Sequence, residues 1–176
     1  VADEVAAWAE RLPVPVATVV QSEPRGTGDA VEVALAALPS DVDRVLILPG
    51  DTPLLTGPTL TGLLEVGADR TLACLTALPD DPSGYGRVLR DDAGGLRGIV
   101  EDRDATPAER EVREINAGMY VVDRAALAPL VAALGTGNAQ GERYLTDVVA
   151  PLAAGGDAVA HPADVAEVAG VNDRAQ

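Results

Sequence analysis

Asp51 is the residue whose type and position most directly suggest chemistry. It follows the apolar run 44–48, within the motif LPGDTPLL that begins at Leu48. In open α/β sheets, ligands bind beyond the carboxyl ends of the strands, and a carboxylate placed there can hold a hard cation such as Mg²⁺. Asp51 is also suited to form a turn or to cap a helix ahead of Pro53, and both structural roles stay open at this point.

Two glycine-containing segments could bring the backbone close to a ligand. The segment QSEPRGTGDA begins at Gln21 and precedes a predicted helix, so its backbone amides could face a phosphate or a base. Thr27 in this segment could instead be an ordinary helix cap. The segment SGYGR begins at Ser83; its glycines permit unusual φ values and close approach of a ligand, or simply the entrance to a hairpin.

Glu101 and Asn116 are polar residues that border apolar strands. If they are buried they need partners, and two convergent polar groups in a cleft suit the hydroxyls of a sugar. Asn172 is most simply interpreted as a helix cap. His161 has no nearby nucleophile pattern, which argues against a catalytic triad, and Cys74 lies in an apolar run typical of a protein core.

Helices alternate with apolar strands along the chain, and these elements must position the candidate residues. The pattern predicts helices over 2–12, 29–38, 58–66, 125–134 and 144–154, and strands over 14–21, 43–50, 70–78, 87–90, 96–100, 114–122 and 158–162. The run 44–48 is typical of a strand buried on both faces of a parallel sheet. The alternation predicts an α/β fold with a mixed, mostly parallel sheet and an inserted hairpin.

Composition and charge exclude several classes of protein. The chain has 176 residues, of which 47% are apolar, and its 28 acidic residues outnumber 13 basic ones, all of them Arg, for a net charge of −15. Such a charge argues against nucleic acid or an anionic membrane as partner. No apolar stretch reaches the roughly 20 residues that span a bilayer, and a single cysteine cannot form an internal disulfide. We therefore expect one cytoplasmic domain.

Six motifs, in this order, resemble the uridylyltransferase domain of a bacterial enzyme family. The motifs are QSEPRGTGDA at Gln21, LPGDTPLL at Leu48, DDPSGYGR at Asp80, GIVEDRDATPAEREVREINAGMY at Gly98, NAQGERYLTD at Asn138 and VAGVNDRAQ at Val168. The family is that of the bifunctional N-acetylglucosamine-1-phosphate uridylyltransferases, which also carry glucosamine-1-phosphate acetyltransferase. The resemblance implies a Rossmann-like nucleotide-diphospho-sugar transferase fold. It also implies transfer of UMP from UTP to N-acetylglucosamine 1-phosphate, which yields UDP-N-acetylglucosamine for peptidoglycan and releases pyrophosphate.

The same resemblance implies eight site residues in three groups. The residues that contact the uracil are Gln21, Gly26 and Thr27. The residues that hold the catalytic Mg²⁺ are Asp51 and Asn172, with Asp51 the catalytic carboxylate. The residues that line the N-acetylglucosamine pocket are Gly86, Glu101 and Asn116. Pro49 stands where many family members have an aromatic or small polar residue.

The chain departs from the family pattern at both ends. Family members begin with a strand and a Gly-rich loop whose Arg and Lys bind the triphosphate, and they continue into a β-helix that carries acetyl transfer and forms a homotrimer. Neither pattern occurs in residues 1–176, which we therefore expect to be an N-terminally truncated fragment, monomeric and inactive by itself. Two alternatives stay open: another sugar-phosphate nucleotidyltransferase or nucleotide-sugar glycosyltransferase, and a non-catalytic module that binds UDP-sugars.

Overall fold

The computed structural model describes residues 2–171, in which helices flank a twisted mixed sheet. The helices are α1 (Ala2–Ala9), α2 (Thr27–Ala37), α3 (Gly57–Val66), α4 (Pro107–Arg110), α5 (Arg124–Ala132), α6 (Val149–Ala153) and α7 (Val165–Val168), with a 3₁₀ turn over Leu145–Val148. The strands are β1 (Arg44–Ile47), β2 (Leu72–Ala77), β3 (Arg87–Arg90), β4 (Leu96–Val100), β5 (Ile115–Asp123) and β6 (Ala158–Pro162).

β5 is the central strand of the sheet. The strands run in the order β4-β3-β5-β2-β6, and β1 also pairs with β5. The α/β class and the mixed sheet are confirmed, but the expected majority of parallel pairs is not found among the described strands. Only β2 and β6 pair in parallel; β5 runs antiparallel to β1, β2 and β3, and the tight turn between β3 and β4 makes that pair antiparallel too.

The prediction that β1 is buried on both faces is wrong. Val45 is buried, whereas Leu46 is 38% exposed and the flanking residues are half-buried. β1 hydrogen-bonds only with β5 among the described strands, so it lies at an edge of the sheet. A continuous apolar run therefore does not guarantee a central position.

The predicted strand over residues 14–21 does not form in the described structure. This segment has no strand assignment, and its valines are exposed at Val14, Val16, Val19 and Val20. β-branched residues favour strands mainly through packing against neighbouring strands, and none of the described strands pairs with this segment. The strand propensity of residues 14–21 is therefore not sufficient to form a strand when no other strand pairs with them.

The core lies on both faces of the sheet. Alternate residues of a strand point to opposite faces, so Leu72 and Cys74 of β2 pack with α2, α5 and α6, whereas Ala73 and Leu75 pack with Leu63 of α3. Cys74 is fully buried and unpaired, which confirms its assignment to the core. Burial also raises the pKa of its thiol to about 12.

Most predicted elements lie where the pattern placed them, but some boundaries and short helices differ. The hairpin strands β3 and β4 and the late strand β6 have the predicted bounds. The predicted helix over 144–154 begins instead as a 3₁₀ turn and continues as α6. The short helix α4 was not predicted, although Thr106 and Glu109 form a capping box there, a signal that the sequence carried.

Candidate active site

A cleft of about 470 Å³ opens at the end of the sheet where β1 leads into the turn at Gly50 and Asp51. Five of the eight residues singled out in the sequence line this cleft: Thr27, Asp51, Gly86, Glu101 and Asn116. They come from five separate segments of the chain. Two of the others, Gln21 and Gly26, do not line it, and Asn172 lies outside the described residues.

Gly86 lies beside both Asn116 and Glu101 in the cleft lining. The Asn116 amide N–H donates to the Gly86 carbonyl oxygen at 2.8 Å. A Cβ atom at position 86 would lie 3.1 Å from Ile99 Cγ2 and 3.5 Å from Glu101 Oε2. A side chain at position 86 would therefore press against Ile99 and lie in contact with the Glu101 carboxylate, which favours glycine.

The Glu101 carboxyl group is partly buried and held by a neighbour. Thr146 Oγ1 donates a hydrogen bond to Glu101 Oε1 at 2.7 Å. Burial raises the pKa of Glu101 above its ordinary value, and the nearby Asp147 and Asp104 charges add to the rise, while the Thr146 hydrogen bond opposes it. Sequence reasoning missed Thr146, which also lines the cleft; it stands in the NAQGERYLTD motif without a distinguishing local signal.

Asn116 lies beside an irregularity in β5. Between the pairs Cys74↔Tyr120 and Thr76↔Asn116, three residues of β5 face one residue of β2. Gly118 within this bulge has a φ of 73° and donates its N–H to Asn116 Oδ1 at 3.1 Å. Asn116 Nδ2 donates to the hydroxyl of buried Tyr120 at 2.7 Å. Bulges frequently re-aim side chains beside active sites, and this one fixes the Asn116 amide at the cleft.

A buried ion pair connects the first residue of β3 to the residue after Glu101. Arg87 is 2% exposed, and its Nη2 lies 2.9 Å from Asp102 Oδ1, while Nη1 donates to the Tyr85 carbonyl oxygen. Arg87 Nε has no hydrogen-bond partner among the described residues. Arg87 belongs to the SGYGR segment, but no local signal in that segment identifies Asp102 as its partner.

The segment around Gly26 packs against the chain near Arg143. Arg143 N–H donates to the Arg25 carbonyl oxygen at 2.7 Å, and the Gly28 N–H donates to the Arg143 carbonyl oxygen at 2.8 Å. Gly26 has a φ of 110°, and a Cβ atom there would lie 2.7 Å from the Arg143 oxygen. Glycine at position 26 is therefore required by packing and backbone conformation, whatever it also contacts.

Thr27 is not the N-cap of α2. Gly26 occupies the cap position without a side-chain hydrogen bond, and Thr27 Oγ1 instead accepts from the Leu145 N–H at 3.0 Å. The interpretation of Thr27 as an ordinary helix cap is wrong. Its side chain joins the start of α2 to the 3₁₀ turn, and both Thr27 and Leu145 line the cleft.

Asp51 lies exposed in the turn after β1. It does not cap α3, whose N-cap is Thr56. Its carbonyl oxygen accepts from the Val171 N–H at 2.8 Å, which brings the residue before Asn172 to Asp51. Among residues 2–171, no group of three or more His, Cys, Asp or Glu side chains could enclose a metal ion. A single carboxylate suits only an ion that takes most of its ligands from water and phosphate, as Mg²⁺ does.

Comparison with known proteins identifies the family. The model of the MobA-like NTP transferase domain matches residues 1–154. The chain belongs to the MobA-like NTP transferase family. Within the described part of this transferase domain, no helix is both long enough and apolar enough to cross a membrane.

Curated relatives of this transferase domain agree with the resemblance drawn from its motifs. It is 51% identical to the bifunctional protein GlmU of Heliobacterium modesticaldum over 162 residues, which are 89% of the chain and 35% of the relative. It is 47% identical to bifunctional protein GlmU of Mycobacterium avium over 182 residues, covering 100% of the chain and 37% of the relative. The transferase domain thus spans little more than a third of the length of these relatives.

Solved structures support the fold of this transferase domain. A Bacillus anthracis structure assigned as a glucose-1-phosphate thymidylyltransferase aligns with a TM-score of 0.71 at 17% identity, over 92% of this chain and 63% of that one. HddC from Yersinia pseudotuberculosis aligns with a TM-score of 0.60 at 18% identity, over 91% of this chain and 64% of that one. At these identities the alignments bear on fold alone, and they confirm the nucleotide-sugar transferase architecture.

Proposed function

We propose that the chain forms the nucleotidyltransferase part of an enzyme that makes UDP-N-acetylglucosamine from UTP and N-acetylglucosamine 1-phosphate. One observation carries the proposal. Thr27, Asp51, Gly86, Glu101 and Asn116 are far apart in sequence, yet all line one cleft of about 470 Å³. The 51% identity to a GlmU protein gives independent support. No observation favours a second function.

The side of the cleft formed by Gly86, Glu101 and Asn116 is the proposed sugar pocket. A carboxylate and a carboxamide offer acceptors and a donor at fixed positions, because Thr146 holds Glu101 and the β5 bulge holds Asn116. Sugar hydroxyls and an acetamido group need such convergent partners once they are removed from water. The buried Gly86 leaves room beside the carboxylate for a sugar ring.

The part of the cleft lined by Thr27 and Asp51 is the proposed nucleotide site. Thr27 begins α2, and its neighbour Gly26 accepts a hydrogen bond from Gln21 Nε2 at 3.2 Å, so we assign the uracil contacts to these three residues. Asp51 would hold Mg²⁺ together with Asn172, and the ion would neutralise charge on the phosphates. The described cleft lining contains two carboxylates, Asp51 and Glu101, and no Arg. Cations that neutralise a triphosphate must therefore come from a bound metal or from residues beyond this lining.

The chemistry follows from positioning. A phosphate oxygen of N-acetylglucosamine 1-phosphate forms a bond to the α-phosphorus of UTP as the bond to the β-phosphate oxygen breaks, and pyrophosphate leaves with that electron pair. No covalent enzyme intermediate is needed, so the protein's part is to align the two substrates in the cleft. The proposal includes a cytoplasmic location, where both substrates would be available.

Pyrophosphate release tests the proposal. UTP, dTTP, CTP and GTP are each combined with N-acetylglucosamine 1-phosphate, glucose 1-phosphate and glucosamine 1-phosphate, using the chain and, where its gene encodes a longer protein, that protein. We expect the pair of UTP and N-acetylglucosamine 1-phosphate to be preferred, with turnover abolished by a metal chelator. Preference for another nucleotide or sugar would identify a different nucleotidyltransferase. Binding of UDP-sugars without turnover by the longer protein would identify a binding module.

A further inference from the structure

Asp29 is a buried carboxylate behind the proposed nucleotide site that sequence reasoning did not single out. It lies in the first turn of α2 and is 2% exposed. Its Oδ2 accepts from Gln21 Nε2 at 2.6 Å, and its Oδ1 lies 3.1 Å from Arg143 Nη1 and 3.2 Å from Arg25 Nη2. Both carboxylate oxygens are therefore engaged, one of them by the Gln21 side chain.

The partners of Gln21 dictate which way its carboxamide points. Gln21 Nε2 donates to Asp29 Oδ2 and also, at 3.2 Å, to the Gly26 carbonyl oxygen. A carbonyl and an ionised carboxylate can only accept hydrogen bonds, so neither tolerates the amide oxygen in place of the nitrogen. Both N–H groups of Gln21 are consumed, and its Oε1 points away from Asp29.

Asp29 stays an acceptor at neutral pH. The hydrogen bond from Gln21 lowers the pKa of Asp29, and the positive charges of Arg25 and Arg143 lower it further, against the opposing effect of burial. Arg143 is itself fixed, since Nη2 donates to the Val131 carbonyl oxygen at 2.6 Å and Nε donates to that of Leu134 at 3.2 Å. The carboxylate thus has a rigid cationic support.

We propose that Asp29 is a positioning residue that fixes the Gln21 carboxamide with its oxygen toward the base, so that the site selects a base with an N–H donor at that edge. The inference rests on the proposed function, in which Gln21 contacts uracil. Uracil N3 carries a proton and can donate to Gln21 Oε1. In the same pose, the N3 lone pair of cytosine would face the oxygen lone pairs, and a methyl group on uracil N3 would remove the donor and clash.

Substitution of Asp29 should relax this selection without removing the site. In Asp29→Asn the new amide can donate as well as accept, so the shorter and charged of the two contacts that orient Gln21 is lost. Only the Gly26 carbonyl oxygen, at 3.2 Å, still requires the nitrogen of the Gln21 amide, and this weaker contact no longer enforces one orientation. Glu32→Gln is the matched control: Glu32 also pairs with Arg143 Nη1, but it has no described contact with Gln21. Because one neutral hydrogen bond is at stake, we expect the ratio of UTP to CTP affinity to fall about fivefold in Asp29→Asn and to stay unchanged in Glu32→Gln.

Two measurements on the protein separate the possible outcomes. The first is ¹⁵N NMR of the Gln21 side-chain amide in the absence of nucleotide. The proposed orientation is supported if the amide protons exchange slowly with solvent and resonate downfield in the wild type and in Glu32→Gln. Both features should be lost in Asp29→Asn. The second is calorimetric binding of UTP, CTP and 3-methyl-UTP. Free-amide behaviour of wild-type Gln21 would overturn the inference regardless of ligand. An unchanged UTP to CTP ratio in Asp29→Asn, with the amide signature lost, would also overturn it.

Failure of the proposed function has a different signature. If Gln21→Ala binds UTP as well as the wild type does, Gln21 is not a base contact. The assignment of Gln21 to the nucleotide site is then wrong, even if the NMR data show that Asp29 orients Gln21. Base selection through Asp29 is then excluded as well. Should Asp29→Asn not fold, Asp29→Glu provides the second variant: it keeps an acceptor, so a folded Asp29→Glu protein should retain the downfield Gln21 amide protons and the UTP preference together. Retention of one without the other would overturn the inference.

Discussion

Arg87 and Asp102 form a buried ion pair, 2.9 Å between Nη2 and Oδ1, that ties together two sides of the proposed sugar pocket. Arg87 follows Gly86 and Asp102 follows Glu101, so each partner is the immediate neighbour of a residue lining the cleft. Arg87 also binds the Tyr85 carbonyl oxygen. The pair therefore supports the pocket from behind rather than from within it.

Loss of the Arg87 charge should destabilise the protein. Arg87→Met leaves Asp102 without its partner; breaking a buried pair costs about 3–5 kcal/mol, which we reduce to about 2–3 kcal/mol because the Asp102 side chain is 29% exposed. Urea unfolding measures the change. Arg70→Met is the control, since Arg70 and Asp157 form an exposed pair at 3.1 Å, for which we expect less than about 1 kcal/mol. Equal losses in the two variants would contradict a structural role for the buried pair.

Glu101→Gln should make the protein more stable at neutral pH. The pKa of Glu101 is raised above its ordinary value of 4.5 in the folded chain, so the ionised form weakens the fold. Glutamine keeps an acceptor for Thr146 and carries no charge. The gain in unfolding free energy should be absent below pH 4.5 and grow as the pH rises through the folded-state pKa.

Glu109→Gln, for which we expect the opposite change in stability, is the control for Glu101→Gln. Hydrogen bonds from the Thr106 backbone and side chain lower the pKa of Glu109. Glu109→Gln should therefore be less stable than the wild type at neutral pH, and the difference should disappear on acidification. Urea titrations from about pH 8 down to about pH 2.5, below the ordinary pKa of both groups, measure both variants. A Glu101→Gln protein that is less stable than the wild type at every pH would refute the burial argument.

Asp51→Ala should abolish turnover while leaving the fold intact. The side chain is exposed in a turn, so its removal leaves no buried cavity, but it is the proposed Mg²⁺ carboxylate. Loss of such charge stabilisation costs on the order of 10²-fold or more in rate. The pyrophosphate-release assay is applied to whichever form of the protein is active, with Asp92→Ala, in the exposed hairpin turn, as control. Near-normal metal-dependent turnover of Asp51→Ala would exclude the assignment.

Asn116→Ala should weaken binding of N-acetylglucosamine 1-phosphate more than binding of UTP. The substitution also leaves the hydroxyl of buried Tyr120 without its donor, at a cost of about 1–3 kcal/mol in stability. Tyr120→Phe is the control, because it breaks the same hydrogen bond and keeps the amide in the cleft. Calorimetry with each substrate measures the effect. Equal losses for both substrates, or equal effects of the two variants, would point to a defect of folding.

We expect residues 1–176 alone to release no measurable pyrophosphate from UTP and N-acetylglucosamine 1-phosphate. Both substrates are anions, the chain carries a net charge of −15, and the described cleft lining holds two carboxylates and no Arg. The described lining therefore leaves the charge of the triphosphate to Mg²⁺ alone, without the Arg or Lys that phosphoryl-transfer sites also use. The coupled assay with Mg²⁺, beside any longer protein that the gene encodes, tests this. Turnover within about tenfold of that longer protein would contradict the prediction.

Local pattern was sufficient for most of the helices and strands of this protein and for several of the residues at its cleft. The spacing of apolar residues predicted α2, α3, β2, β5 and the β3–β4 hairpin, because the spacing of buried residues within one element can be seen in consecutive residues of the sequence. The position of Asp51 just after an apolar strand could be recognised from the sequence for the same reason. Five predicted site residues then line one cleft, since the end of the sheet gathers the segments that follow or precede its strands.

Tertiary structure alone decided which side chains meet. Arg143 and Asp29 are 114 residues apart in the sequence, and Arg87 and Asp102 are 15 residues apart. The spacing of apolar residues around them does not predict either pair. The orientation of Gln21 depends on such a pairing. Residues 14–21 also do not form a strand in the described structure, because a strand needs hydrogen-bond partners from another segment of the chain. Periodicity encodes burial, whereas the pairing of buried charges depends on how the whole sheet and its loops are packed.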